Sequence, residues 1–255
     1  MPSIADIYYH EYAGGEAQRS AVVLIHGAGG THLYWPAELR RLPGYRVFAL
    51  DLPGHGKSAG RGLQSIAAYA QAVKDWLLAV GLHSAVFAGH SMGSAIALTL
   101  ALEHGGHVNG LILLGAGARL KVSPELLENA ASHTTYQNAV NMVIDWSFGS
   151  GAPPRLKELA GQRMAETRSS VLYGDFFACD AFDETERIEQ IRQPVLVICG
   201  NEDRMTPLRQ SQYLAEHIPG AVLKTIPDAG HMVMLEKPQP VADILLGFLE
   251  GVKYL

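Results

Sequence analysis

The chain has 255 residues and carries 20 Lys and Arg against 25 Asp and Glu, for a formal net charge of −5. With 48% apolar and 18% charged residues it can bury a large core, which excludes a chain that is disordered throughout. No cluster of Lys and Arg is present, and this argues against nucleic acid or an anionic membrane surface as a partner.

The cysteines and the first residues indicate a cellular compartment. Cys179 and Cys199 are too few for a disulfide framework or a four-cysteine zinc site. The N-terminal residues lack the basic and apolar regions of a signal peptide. No apolar run approaches the roughly 18–20 residues that span a bilayer. We therefore expect a soluble cytoplasmic protein, either a monomer or a small homo-oligomer.

Short apolar runs bounded by Gly, Pro or Asp alternate with segments of helical spacing. The predicted strands are residues 7–12, 21–26, 45–50, 84–88, 110–114, 194–199 and 221–226. The predicted helices between and after them are residues 64–81, 91–103, 207–218 and 238–251. Several runs are apolar almost throughout, which is typical of parallel strands covered on both faces. The alternation predicts an α/β fold with a doubly wound, mostly parallel sheet.

The interval 118–191 breaks this alternation because it contains no convincing buried strand. Its four predicted short helices are residues 124–133, 136–148, 154–167 and 169–179. A helical insertion of this length between two strands predicts a cap over one edge of the sheet, inserted after the sixth-strand region. The predicted domains are a core of 1–117 and 192–255 and a helical cap of 118–191. Pockets tend to form in the cleft between two such units.

The pentapeptide Gly-His-Ser-Met-Gly at 89–93 follows one predicted strand and precedes an Ala- and Leu-rich helix. This is the G-x-S-x-G pattern in its strand–turn–helix context. Both glycines are needed if the turn brings helix and strand close together. The turn would hold Ser91 Oγ over the carboxyl ends of the strands, where open α/β sheets bind ligands. Ser91 is the predicted nucleophile.

A serine hydroxyl needs a base to take its proton and a third group to orient that base. Asp203 and His231 each follow a predicted strand, so both are expected at the same sheet edge as Ser91. The chain order Ser, Asp, His matches one known lineage of catalytic triads. Glu202 and Asp228 are alternatives for the acid, but Glu202 is interpreted as a solvated loop carboxylate and Asp228 as a turn residue.

The glycine-rich loop at 26–30 follows the second predicted strand and would let main-chain N–H groups approach a substrate oxygen. The predicted oxyanion donors are the N–H groups of Ala28 and Met92, with Gly29 as the alternative to Ala28. The helix that begins after Ser91 adds positive potential there. The residues predicted to bind substrate are Gly29, Trp146, Phe176 and Met232.

Two other motifs could suggest a metal or a nucleotide cofactor, but neither fits the required pattern. His104 and His107 have the spacing of a metal pair, but the two glycines between them indicate a helix terminus. The segment 51–58 ends in Gly-Lys-Ser, yet Asp51 stands where the Walker pattern requires glycine. No G-x-G-x-x-G motif follows a predicted strand. We therefore expect no metal and no cofactor.

Five segments together resemble the α/β-hydrolase fold superfamily: residues 26–30, 51–58, 89–93, 200–203 and 229–231. They extend from near the N-terminus to near the C-terminus, so the resemblance covers essentially the whole chain. It implies a small capped serine hydrolase, similar to carboxylesterases, that cleaves a small to medium apolar ester or thioester through an acyl-enzyme. Haloalkane dehalogenases and epoxide hydrolases of this fold have Asp at the nucleophile position, and Ser91 argues against both.

Other functions within the same fold stay open at this point. Carbon–carbon bond hydrolysis and cofactor-free perhydrolysis could use the same three residues. The former would need a cation to hold a substrate carboxylate; Arg119, Arg168 and Arg187 are candidates, although each is interpreted as a solvated surface residue. A sensor that binds a small molecule and turns it over slowly is an alternative of another class, because a fold does not fix a function.

Overall fold

The computed structural model describes residues 3–14 and 19–252. Residues 1–2, 15–18 and 253–255, which include both ends of the predicted core domain, lie outside the described residues. The strands are β1 (Ser3–Ile4), β2 (Ile7–Tyr12), β3 (Val22–Ile25), β4 (Val47–Asp51), β5 (Ala85–His90), β6 (Val108–Leu114), β7 (Val195–Gly200) and β8 (Val222–Ile226). The α-helices are α1 (Ala37–Arg40), α2 (Ile66–Ala79), α3 (Met92–Glu103), α4 (Pro124–Ala131), α5 (Tyr136–Ser147), α6 (Pro154–Ala165), α7 (Ser169–Ala181), α8 (Leu208–His217), α9 (Val233–Glu236) and α10 (Pro238–Leu249). Short 3-10 helices lie at His32–Tyr34, Gly105–His107 and Ile188–Gln190.

The strands form one eight-stranded sheet in the order β1-β2-β4-β3-β5-β6-β7-β8. Strand β2 pairs antiparallel with both β1 and β4, and every pair from β4 to β8 is parallel. The prediction of an α/β fold with a doubly wound, mostly parallel sheet is confirmed. Strand β1 was not predicted, because two residues are too few to show a period.

The core consists of two apolar layers, one on each face of the sheet. Successive residues of β3 face opposite layers, as the pleat requires. Val23 belongs to the layer that contains Trp76 of α2, and Val22 to the layer that contains Leu39 of α1. Helices cover both faces, so β3 to β7 are buried along their whole length. Strand β8 lies at the edge of the sheet, and most of its side chains are partly or fully exposed.

Helices α4 to α7 all lie between β6 and β7, where the sequence predicts a helical insertion; we call them the four-helix segment. Backbone hydrogen bonds join the two ends of this segment: Leu120 N–H donates to Phe182 O, and Glu184 N–H donates to Ala118 O. The four-helix segment therefore begins and ends at neighbouring points. The predicted domain boundaries at 118 and 191 stay a prediction.

Within residues 3–14 and 19–252, no helix is both long and apolar enough to cross a membrane. The same residues contain no group of three or more His, Cys, Asp or Glu side chains arranged to hold a metal ion.

Candidate active site

Ser91 lies between the end of β5 and the start of α3 in a strained backbone conformation. Its φ of 53° and ψ of −117° are uncommon for a residue with a Cβ. Its N–H donates to Leu114 O of the neighbouring strand at 2.9 Å, and its carbonyl accepts the N–H of Ser94 at 2.8 Å. The hydroxyl of Ser94 donates to the same carbonyl at 2.6 Å. These bonds hold the turn, while the side chain stays partly exposed.

The two glycines of the pentapeptide stand where strand and helix approach most closely. A Cβ on Gly89 would overlap the carbonyl oxygen of Gly93. A Cβ on Gly93 would overlap the carbonyl oxygens of Ile25 and His26 beside the end of β3. Only glycine avoids these overlaps, which confirms the close approach of helix and strand that the sequence predicts.

Asp203 and His231 come together in the structure although each follows a different strand. Asp203 Oδ2 lies 2.9 Å from His231 Nδ1 and accepts the hydroxyl of Thr206 at 2.9 Å. Asp203 Oδ1 accepts the N–H groups of Met205 and Thr206 at 2.9 and 2.8 Å. All four oxygen contacts of the carboxylate therefore come from donors, which is the pattern expected of an ionised acid that orients an imidazole.

The electrostatics of Asp203 agree with this geometry. Burial alone would raise the pKa of the carboxyl, since only 6% of the residue is exposed. The charge of His231 and the hydrogen bonds from His231 and Thr206 outweigh burial and hold the pKa of Asp203 below its usual value. Asp203 is therefore charged at neutral pH, with His231 as its partner.

His90, the residue before Ser91, contacts both the backbone and the ring of His231. Its Nε2 lies 3.0 Å from the carbonyl oxygen of His231, and the two rings have centroids 4.7 Å apart. Burial, and then the neighbouring His231, lower the pKa of His90 to about 3. A neutral His90 therefore donates its Nε2–H to that carbonyl. The sequence placed His90 in the turn but gave no sign of this long-range bond.

Ser91 and His231 both lie beside the end of β6. A Cβ on Gly115 would lie 2.8 Å from His231 Nδ1 and 3.4 Å from Asp203 Oδ2. Leu114, the residue before it, accepts the N–H of Ser91. No hydrogen bond joins Ser91 Oγ to His231 within the described residues. Such bonds are often long before a substrate binds and tighten in the complex.

Two main-chain N–H groups near Ser91 make no hydrogen bond within the described residues. Met92 is the first residue of α3, so its N–H has no partner within the helix. The N–H of Ala28 makes no hydrogen bond within the described part of the chain. Both are the donors predicted from the sequence. Gly29, the alternative to Ala28, donates its N–H to Asp175 Oδ2 at 2.9 Å and is not available to a substrate.

A cavity of about 220 Å³ opens between the four-helix segment and the carboxyl edge of the sheet. Its lining includes Ser91, Ala28 and the side chains of both faces of the cleft: Leu120, Lys121, Val122, Ser123, Leu126, Trp146, Phe176, Cys179, Arg204, Met205, Thr206 and Gln210. Of the residues predicted to bind substrate, Trp146 and Phe176 are in this lining. Gly29 and Met232 are not; Met232 is buried in the core instead.

Cys179 is a second nucleophilic group in this lining. Burial, followed by the nearby charges of Asp175 and Asp180, raises the pKa of the Cys179 thiol. Because the thiolate is the reactive form, Cys179 is a poor nucleophile at neutral pH.

Glu202 and the three arginines considered from the sequence are bonded elsewhere, and Asp228 has a positive φ of 51°. Glu202 accepts the N–H of Ser150 at 2.6 Å. Arg119 pairs with Asp183, Arg187 with Glu103 and Glu184, and Arg168 donates to the carbonyls of Gly54 and Gly60. None of these three arginines lines the cavity. Its cations are Lys121 and Arg204, which no sequence pattern singled out.

Residues 20–238 match the family described as alpha/beta hydrolase fold. The chain belongs to this family. A solved structure of a thermophilic esterase matches this α/β hydrolase with a TM-score of 0.83 at 33% identity, over 98% of this chain and 96% of that one. RutD of Caulobacter sp. (strain K31), named provisionally as a carbamate hydrolase, is 30% identical over 96% of this chain and 97% of its own.

A third relative is an esterase by name. The pimeloyl-[acyl-carrier protein] methyl ester esterase of Aromatoleum aromaticum (strain DSM 19018 / LMG 30748 / EbN1) is 30% identical over 91% of this chain and 99% of its own. Hydrolase activity of the α/β hydrolase described here is supported by its fold and by these relatives.

Proposed function

We propose that this α/β hydrolase cleaves a carboxylic ester or thioester of a small to medium apolar substrate through an acyl-enzyme on Ser91. The observation that carries the proposal is the hydrogen-bonded Asp203–His231 pair at the same sheet edge as a strained, partly exposed serine. Ser91 and Ala28, whose N–H is unbonded, line one cavity. Two of the relatives described above are esterases by name.

In this mechanism His231 takes the proton of Ser91 as Oγ attacks the substrate carbonyl carbon. Asp203 holds the Nδ1–H of His231 and stabilises the imidazolium that forms. The N–H groups of Ala28 and Met92 bind the oxyanion of the tetrahedral intermediate. The C–O or C–S bond then breaks, and the leaving group takes its proton from His231. A water molecule, deprotonated by His231, then attacks the acyl carbon. The bond from that carbon to Ser91 Oγ breaks, Oγ takes the proton back from His231, and the acid is released.

The lining of the cavity supports an apolar acyl group of limited length. Leu126, Trp146 and Phe176 supply apolar walls from the four-helix segment. The volume of about 220 Å³ is below the roughly 300–1,000 Å³ of sites for drug-sized ligands. We propose that residues 118–191 act as a cap domain that sets this limit.

Hydrolysis of p-nitrophenyl esters from acetate to palmitate tests the proposal. We expect the highest kcat/KM among the short acyl chains and little activity on palmitate. Ser91→Ala should abolish turnover, while Ser170→Ala, which changes an exposed serine of α7, should leave it unchanged. Turnover by folded Ser91→Ala at the wild-type rate would exclude the acyl-enzyme mechanism.

Carbon–carbon bond hydrolysis is a second candidate because Lys121 and Arg204 line the cavity. Lys121 pairs with Asp180 and Arg204 donates to the carbonyl of Asp145, so either cation would have to share or exchange these partners to pair with a substrate carboxylate. If every p-nitrophenyl ester is inert while a fluorophosphonate still labels Ser91, this candidate is favoured. Activity on a carboxylate-bearing vinylogous diketone that is lost in Lys121→Met or Arg204→Met would then support it. Equal activity in both variants would argue against it.

A further inference from the structure

The loop that contains Ala28 is a tight turn whose three peptide groups are each bonded to a side chain. Gly30 N–H closes the turn on Gly27 O at 3.1 Å, and Gly29 has a φ of +64°. This positive φ at the third residue is typical of type II turns. The carbonyl of Gly27 belongs to the same peptide plane as the N–H of Ala28. Whatever orients that plane therefore orients the open donor.

His26 holds the first plane. Leu52 N–H donates to His26 Nε2 at 3.1 Å, so the ring proton is on Nδ1, which donates to Gly27 O at 2.8 Å. Burial, and then the nearby His55, lower the pKa of His26 to about 4, which keeps this ring neutral. The contact comes from the sheet side of the loop.

The next two planes are held by the four-helix segment. Asp175 of α7 accepts the N–H of Gly29 at 2.9 Å. Thr167, between α6 and α7, donates its hydroxyl to the carbonyl of Gly29 at 3.0 Å. Both residues are buried, with 0% of Asp175 and 7% of Thr167 exposed. Both polar groups of Gly29 are thus bonded to side chains that lie about 140 residues away along the chain.

Asp175 is fully bonded and links three parts of the core domain to α7. Besides Gly29, its Oδ2 contacts Nε2 of His55 at 2.7 Å, and its Oδ1 accepts the hydroxyl of Tyr69 at 2.7 Å. His55 Nδ1 also faces an acceptor, the carbonyl of Pro53 at 3.2 Å. Both ring nitrogens of His55 therefore need a proton, and the buried contact with Asp175 is an ion pair.

A buried ion pair adds little net stability compared with apolar packing, because both charges lose their hydration. It does fix geometry, since its partners cannot separate without leaving a buried charge unpaired. Here Asp175 of the ion pair also accepts the N–H of Gly29, which belongs to the peptide group next to Ala28. Packing alone would not require a carboxylate and a hydroxyl to bond both sides of one glycine.

We propose that Thr167 and Asp175 are positioning residues that aim the N–H of Ala28 at the substrate oxyanion. The four-helix segment would then complete the oxyanion hole in addition to lining the cavity. This inference rests on the proposed ester hydrolysis at Ser91.

Thr167→Val tests the inference with the least change of shape, because it removes only the hydroxyl bond to Gly29. We expect kcat per active site to fall by about 10- to 100-fold with KM little changed, because a donor displaced by about 1 Å loses that much rate. Thr167→Ser keeps the hydroxyl and should restore kcat. The matched control is Thr135→Val, which removes a threonine hydroxyl bond to Asn129 O within the same segment and should leave kcat unchanged.

The concentration of active sites is measured by fluorophosphonate titration. A partly misfolded preparation is then not mistaken for an enzyme with a low kcat. Affinity for a trifluoromethyl ketone, whose adduct carries an oxyanion, should fall in proportion to kcat/KM. Asp175→Asn is the second variant and should lower the same two quantities; its thermal unfolding is measured in parallel. A purely structural role would lower the melting temperature and leave kcat per active site intact.

The outcomes separate the two proposals. If Ser91→Ala abolishes turnover but Thr167→Val and Asp175→Asn keep wild-type kcat per active site, the positioning role is wrong and ester hydrolysis stands. If Ser91→Ala retains turnover, the proposed function itself fails. Loss of kcat in Thr135→Val to the same extent as in Thr167→Val would also overturn the positioning role.

Discussion

Replacing Asp203 by Asn should greatly lower kcat with almost no change of shape. The hydrogen bonds around the side chain allow the amide only one orientation. The Met205 and Thr206 N–H groups both point at the Oδ1 position, so the amide oxygen must lie there. The NH₂ group then takes the Oδ2 position, 2.9 Å from His231 Nδ1. Turning the amide over would lose two hydrogen bonds and leave buried donors unpaired, at about 1–3 kcal/mol each.

An NH₂ group at that position donates to His231 Nδ1 and forces the ring proton onto Nε2. The nitrogen that should take the proton of Ser91 then already carries one. In serine proteases the same change lowers kcat by about 10⁴-fold, which corresponds to about 5 kcal/mol at 1.36 kcal/mol per tenfold. We expect a loss of this size in Asp203→Asn, with KM within a few-fold of wild type.

The assay is kcat and KM on the best p-nitrophenyl ester, with active sites titrated and folding checked by circular dichroism. Glu202→Gln is the matched control, because it changes the neighbouring acid, whose carboxylate contacts Ser150 and not His231. We expect it to stay close to wild type. If folded Asp203→Asn keeps kcat within tenfold of wild type, Asp203 does not set the tautomer of His231, and the reasoning is wrong.

Three further predictions concern stability. Gly93→Ala should lower the free energy of unfolding by about 3 kcal/mol, because the new Cβ would overlap backbone oxygens. Gly106→Ala, with open space around its Cβ position, should change it little. Urea unfolding measures both variants, and equal free energies would contradict the close approach of helix and strand. The folded pKa of Asp203 is lowered, so its stabilising contribution is present above the unfolded pKa of about 3.9 and is lost as the pH falls through the folded value. Asp203→Asn should therefore make the free energy of unfolding depend less on pH in the acid range. An unchanged pH dependence would count against the ion pair. Burial alone would lower the pKa of His55, but Asp175, the carbonyl of Pro53 and Asp51 outweigh burial and raise it. The stability that protonated His55 contributes is present below the unfolded pKa of about 6.5 and is lost as the pH rises through the folded value. The free energy of unfolding of wild type should therefore fall more than that of His55→Gln over that range.

Much of the fold could be predicted because its signals are local. The strands that are buried on both faces appear as short apolar runs, and the glycines around Ser91 mark the turn within five residues. The placement of Asp203 and His231 after separate strands also follows from local patterns, since parallel strands end at one edge of the sheet. Strand β1 was missed because it has only two residues.

What the sequence could not predict depends on contacts between distant parts of the chain. Asp175 contacts Gly29 across 146 positions and His55 across 120. Nothing around Asp175 distinguishes it from the exposed acids of the neighbouring helices. The same holds for Lys121 and Gln210, which line the cavity only because the four-helix segment packs over the sheet. The prediction of Gly29 as an alternative oxyanion donor was wrong, because its N–H is bonded to the distant Asp175.

The formation of an acyl-enzyme on Ser91 is the central claim, and it can be observed directly. The protein is mixed with p-nitrophenyl acetate, quenched in acid within the first turnover, digested and analysed by mass spectrometry, with Ser91→Ala treated in the same way. We predict one acetyl group on the peptide that contains Ser91, appearing with the burst of p-nitrophenolate and absent from the variant. Hydrolysis of the ester without that adduct, or an adduct at another residue at the same rate, would contradict the account.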